Sequence, residues 1–118
     1  MAHQLEALYV VQFGDVEAGG RYRPAGGVVV LKGGRIYGGD AGYYYIGSYT
    51  EAGEGFRIKV RIVKYDPTAK DAFGDTVASF EVEAELTQHG EIIQGQMARV
   101  EQPDIKLPIR LIWKEDVR

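Results

Sequence analysis

The chain has no cysteine. That excludes disulfides, thiolate metal sites and a cysteine nucleophile, and it fits a cytosolic setting. No apolar run approaches the ~18 residues needed to span a bilayer. Residues 1–11 lack the basic start and long apolar run of a signal peptide. The expectation is a soluble, cytoplasmic protein with no membrane association. Charge of one sign is also scarce: 14 Lys and Arg stand against 17 Asp and Glu, a net charge of −3. A weakly acidic domain lacks the clustered cations that hold a polyanion, so no nucleic-acid partner is expected.

Recognisable chemistry is equally thin. The two histidines, His3 and His89, lie far apart and have no ligand spacing. The Gly-rich stretches are not phosphate loops, because the Gly-x-x-x-x-Gly-Lys-Ser/Thr pattern is missing. No Gly-x-Ser-x-Gly elbow is present. Asp66, Asp71 and Asp75 crowd one loop without the spacing of a calcium site. The sequence therefore predicts no catalytic residues, no metal and no cofactor, and a protein that is not an enzyme.

What is present is a period of two. At 118 residues the chain makes one domain, 1–118. Eight strands are predicted, at about 5–13, 27–32, 35–39, 43–50, 55–65, 77–87, 91–101 and 106–114. In the fifth, Phe56, Ile58, Val60 and Ile62 share one face and Arg57, Lys59 and Arg61 the other. In the sixth, Phe80, Val82, Ala84 and Leu86 oppose Glu81, Glu83 and Glu85. In the eighth, Leu107, Ile109, Leu111 and Trp113 oppose Pro108, Arg110 and Lys114. Such alternation marks a wall with one buried and one solvated face. A hairpin of strands five and six that faces Arg61 with Glu81 also faces Lys59 with Glu83 and Arg57 with Glu85. A slip by one residue would put both apolar faces into water.

Short glycine turns connect the strands. Gly33-Gly34 reads as a two-residue hairpin loop, which needs positive φ. Residues 38–42 form a looser turn, 51–55 a third, and 87–90 join strands six and seven. The long connection 66–76 carries Phe73, expected to fold over one end of the barrel. The fold class is thus all-β: an eight-stranded antiparallel up-and-down β-barrel. Tyr43, Tyr45 and Tyr49 fall on one face of strand four, with Gly47 between them making room for a neighbour. They either fill the barrel or line a ligand cavity, since eight strands enclose a volume at which both occur. Strand one and residues 28–31 are apolar on both faces, more than one interior requires, and are predicted to form a homodimer surface.

Four segments carry a family resemblance: Leu8-Tyr9-Val10-Val11-Gln12-Phe13, Gly26-Gly27-Val28-Val29-Val30-Leu31, Gly33-Gly34-Arg35-Ile36-Tyr37-Gly38-Gly39-Asp40 and Tyr44-Tyr45-Ile46-Gly47-Ser48-Tyr49. Together they resemble the GrlR family of small bacterial proteins, whose founding member is a negative regulator of type III secretion. The Gly-Gly-Asp followed by Tyr-x-Gly-x-Tyr is the most specific part, and residues 5–65 carry most of the likeness. The resemblance implies a calycin- or lipocalin-like dimeric barrel that regulates by protein–protein binding, sequestering a transcriptional regulator. The family contact is an acidic run in the turn after strand four. The matching positions are Glu51, Ala52, Gly53 and Glu54, two of them acidic, so Glu51 and Glu54 are the candidate partner-binding residues. The alternative from the residues is a barrel that binds a small apolar molecule or lipid through Tyr43, Tyr45 and Tyr49.

Overall fold

The computed structural model describes residues 6–15, 19–22, 26–53, 55–69 and 78–117. Phe73, Asp71, Asp75, His3 and Glu54 lie outside the described residues, and with them the expected closure of one barrel end by Phe73. The eight strands are β1 (Ala7–Phe13), β2 (Gly27–Lys32), β3 (Arg35–Gly39), β4 (Tyr43–Ala52), β5 (Gly55–Lys64), β6 (Ser79–His89), β7 (Ile92–Arg99) and β8 (Gln102–Asp116). Each pairs antiparallel with the next, and β1 pairs with β8, so the meander closes into a barrel. Closure leaves no unpaired sheet edge.

Local chemistry sets the winding. Gly33 and Gly34 both have positive φ (59° and 78°), and Lys32 pairs directly with Arg35. This is the primed two-residue turn whose twist matches the flanking strands. The turn between β6 and β7 differs from its expected position. Strand β6 runs on to His89, and the connection is Gly90-Glu91, with Gly90 at φ 65°. Strand β8 begins at Gln102, not 106, because a register shift after Ala98 lets Arg99 pair with Gln102 across a two-residue turn.

The alternating strands sit as their period requires. Phe80, Val82, Ala84 and Leu86 are buried on β6, and Phe56, Ile58 and Val60 on β5, with Ile62 half-buried against the same core. Leu107, Ile109 and Leu111 are buried on β8, and Trp113 packs partly against them. The β5–β6 register pairs Arg57 with Glu85, Lys59 with Glu83 and Arg61 with Glu81. Each inward Val, Ile, Leu or Phe contributes roughly 1.5–3 kcal/mol by leaving water. Parity is therefore decided inside, and the charges follow. The outer ion pairs are real but exposed: Arg57–Glu85 at 2.6 Å, Lys59–Glu81 at 3.7 Å and Lys59–Glu83 at 3.9 Å.

Gly47 faces inward on β4, opposite Val60 of β5. A Cβ there would lie 2.2 Å from the Lys59 carbonyl oxygen and 2.8 Å from the Val60 Cα. The expectation that Gly47 makes room for a neighbour is met, and the neighbour is the β5 backbone.

Candidate functional site

Inside the barrel, Tyr43 and Tyr45 are buried, while Tyr49 is half-buried and packs on Phe56 with ring centroids 6.3 Å apart. The inward face expected for the three tyrosines is therefore observed. They do not converge on one site. Tyr43 and Tyr45 border an apolar cavity of about 60 Å³ whose lining runs from Phe13, Asp40 and Phe80 at one end of the barrel inward to Ile36 and Ile58. Tyr49 does not line it and lies toward the other end, beside the β4–β5 turn. The cavity is well below the ~300 Å³ at which pockets for drug-sized ligands begin. Most of the interior is occupied by side chains.

The Gly-Gly-Asp-to-Tyr motif has a mechanical explanation. The Asp40 Oδ1 accepts the backbone N–H groups of Gly42 (2.8 Å) and Tyr43 (2.9 Å). Its Oδ2 accepts the Tyr45 hydroxyl, and its backbone carbonyl accepts the Tyr65 hydroxyl. One aspartate thus satisfies two turn amides and ties the turn to an inward tyrosine and to the end of β5. A short side chain that bonds its own backbone two and three residues on is how Asp favours such turns. The motif codes for a lock on the β3–β4 turn.

Arg99 is the residue that sequence reasoning passed over. It is 5% exposed and faces inward at the end of β7, with its guanidinium carbon 4.8 Å from the Phe80 ring centroid. The signal was available in parity: Ile93 and Met97 are buried, and Arg99 continues their face. Stacking a weakly hydrated guanidinium on an aromatic face is a low-cost way to seat a cation in a core rim.

Outside, the wall divides into two regions. One cross-strand row runs Ile92, Ile112, Val10, Val28 over β7, β8, β1 and β2. A parallel row runs Leu8, Val30, Tyr37, Ile46 over β1 to β4. Val28 is 48% exposed, Tyr37 46%, Tyr44 40% and Ile92 37%. Three stretches of sequence far apart in the chain thus build one apolar outer patch. The charged strip of β5 and β6 forms the other region. Between them, a shallow groove of about 370 Å³ is lined by Arg35, Ile46, Ser48, Lys59, Arg61 and Glu81.

Glu51, the last residue but one of β4, stands opposite Phe56 with its side chain exposed. Gly53 follows at φ 61°, so the turn itself is a glycine-dependent hairpin. The described part of the candidate acidic contact is the single carboxylate of Glu51. Among titrating groups, Tyr9 stands out: burial, reinforced by Tyr49 and Asp116, pushes its hydroxyl up to about 12. That is a core tyrosine kept neutral, and it supplies no acid or base at ordinary pH. A scan against protein-family models matches none, and a search of curated proteins returns no match.

Proposed function

We propose that this protein works by binding other proteins through the outside of its barrel, first of all a second copy of itself, as a regulatory or adaptor protein of the kind the GrlR resemblance suggests. The observation that carries this reading is the apolar outer patch. Val10, Val28, Ile92 and Ile112 form a continuous row with Leu8, Val30 and Tyr37 beside it. A wall needs one apolar face to fold; a second one left facing water is the mark of an interaction surface. The small interior cavity and the structural use of Asp40 and Tyr45 support a binding role on the surface over one in the core.

In this reading the homodimer packs barrel wall on barrel wall around Val10 and Val28. The β4–β5 turn, with Glu51 and Glu54, offers carboxylates to a basic partner such as a transcriptional regulator. Rim charges of this kind chiefly set specificity and association rate. Sedimentation at micromolar concentration tests the first part: a dimer is expected, and a monomer refutes it. Capture from the native host with Glu51→Lys and Glu54→Lys tests the second, and an unchanged set of partners refutes that contact.

A further inference from the structure

We infer that the groove at the seam between the apolar and charged halves of the outer wall is a docking site for an acidic, amphipathic segment of a partner protein. This deepens the protein-binding reading above and rests on it, but it centres on the row beside the Val10–Val28 dimer row, from Val30 and Tyr37 toward β5, and predicts the opposite partner charge from the Glu51 turn.

Two outward rows lie side by side here. Val30, Tyr37 and Ile46 are side by side on β2, β3 and β4, and the same row continues to Arg61 of β5 and Glu81 of β6. Two residues along the strands, Lys32, Arg35, Ser48 and Lys59 form the next outward row. With strands ~4.8 Å apart and ~3.4 Å of rise per residue, an apolar strip ~10 Å long lies ~7 Å from a cationic one. That spacing suits a segment with one apolar side and one acidic flank, because an α-helix with its side chains is about 10–12 Å across.

The charge balance sets the sign. Lys59 is engaged by Glu81 and Glu83 at 3.7 and 3.9 Å. Among the described residues no carboxylate forms an ion pair with Lys32, Arg35 or Arg61; Glu81 stands opposite Arg61 in the β5–β6 register, and the Glu6 carboxylate accepts the Gly33 amide in the turn next to Lys32. Arg35, Lys59 and Arg61 thus line the groove, with Lys32 beside Arg35 in the same row, against the single lining carboxylate of Glu81, which Lys59 bridges. The guanidinium groups of Arg35 and Arg61 supply forked donors that fit carboxylates bidentately, and the Ser48 hydroxyl lies between them. Arg35 also sits 6.0 Å from the Tyr37 ring centroid, which holds the cation beside the apolar strip. A basic segment would meet three like charges here, so the groove selects as well as attracts.

The test uses the intact protein and a synthetic amphipathic helical peptide built from leucine and glutamate, with a leucine–lysine peptide of the same pattern as control. Binding is read by fluorescence anisotropy and by amide shifts at Ile46 and Ser48. The leucine–glutamate peptide is expected to bind and the lysine peptide not. Affinity is expected to fall at least roughly tenfold in Arg35→Glu/Arg61→Glu, and to weaken between ~50 and ~300 mM salt as the exposed charges are screened. Arg35→Ala/Arg61→Ala is the milder variant should the charge reversal disturb folding. Equal binding of both peptides, or unchanged affinity in both arginine variants, overturns the proposal. Loss of binding in Val28→Glu alone also overturns it, by locating the peptide on the dimer row. Peptide binding retained in a Val28→Glu protein that has become monomeric supports the groove as a separate surface. Groove binding in a wild type that is itself monomeric would sink the dimer reading and leave the groove intact.

Discussion

The β5–β6 half of the barrel wall and the β8–β1–β2 half share one interior and differ on the outside. From Arg57 to Arg61 on β5 and from Glu81 to Glu85 on β6, every second residue is charged; Arg57 bonds Glu85, and Lys59 lies between Glu81 and Glu83. On β1, β2 and β8, the outward positions Leu8, Val10, Val28, Val30 and Ile112 adjoin one another and are apolar, with Gln12 and Arg110 at one margin and Lys32 at the other. The inner faces of both halves are equally buried. Folding therefore does not explain the difference, since either outer surface would close the same barrel. Away from the groove at Arg61, the charged half is matched within itself and is comfortable in water. The apolar half is the one that gains by being covered.

The largest effect should come from the interior, where the two halves are alike. Gly47→Ala drives a Cβ into the Lys59 carbonyl and is expected to cost about 3 kcal/mol, read by urea unfolding. A loss below about 1 kcal/mol would show that β4 and β5 can separate there without penalty. Next comes the apolar outer row. Val28→Glu should weaken self-association by about 2–3 kcal/mol, roughly 30- to 150-fold, while leaving the melting temperature of the barrel nearly unchanged. If melting drops sharply instead, Val28 belongs to the core and the contrast between the halves fails.

A comparable effect is expected from pH at Tyr9. Its hydroxyl is raised from 10 to about 12 in the fold. Below the unfolded value both states are neutral and the stabilisation is complete. Between roughly pH 10 and 12 the unfolded chain ionises first, so stability falls as pH rises, by about 1–3 kcal/mol. Tyr9→Phe should flatten that part of the alkaline unfolding curve; an unchanged slope would count against it. The smallest effect lies on the charged half. Arg57→Ala removes a 2.6 Å ion pair whose members are 62% and 77% exposed, and should cost only about 0.2–1 kcal/mol by thermal unfolding. A larger loss would mean that this surface is also part of an interface.

Much of the fold was legible because a β-strand has a period of two. Once Phe56, Ile58 and Val60 are inside, Arg57 and Lys59 must be outside, and the pairing of Arg57 with Glu85 follows. The Gly33-Gly34 turn was equally plain, because two residues with positive φ in succession call for glycine. The β7–β8 hairpin was less so. Residues 100–106 carry no glycine, and the register shift near Arg99 depends on what the rest of the barrel imposes. The inward tyrosines were read correctly as a face. Their separation into two ends, with Tyr43 and Tyr45 at the small cavity and Tyr49 away from it, depends on where the neighbouring strands run.

The sequence by itself determined the strands, the parity of each and the order in which neighbours pair, because these depend on local turns and on which side chains avoid water. Only the tertiary structure decided what those strands jointly present. Val10, Ile112 and Ile92 come from opposite ends of the chain and become one row only when β1 closes on β8. Arg35 and Arg61 flank one groove only because β4 lies between their strands. A surface is a property of side chains brought side by side, and for residues distant in sequence that adjacency exists only after the barrel has closed.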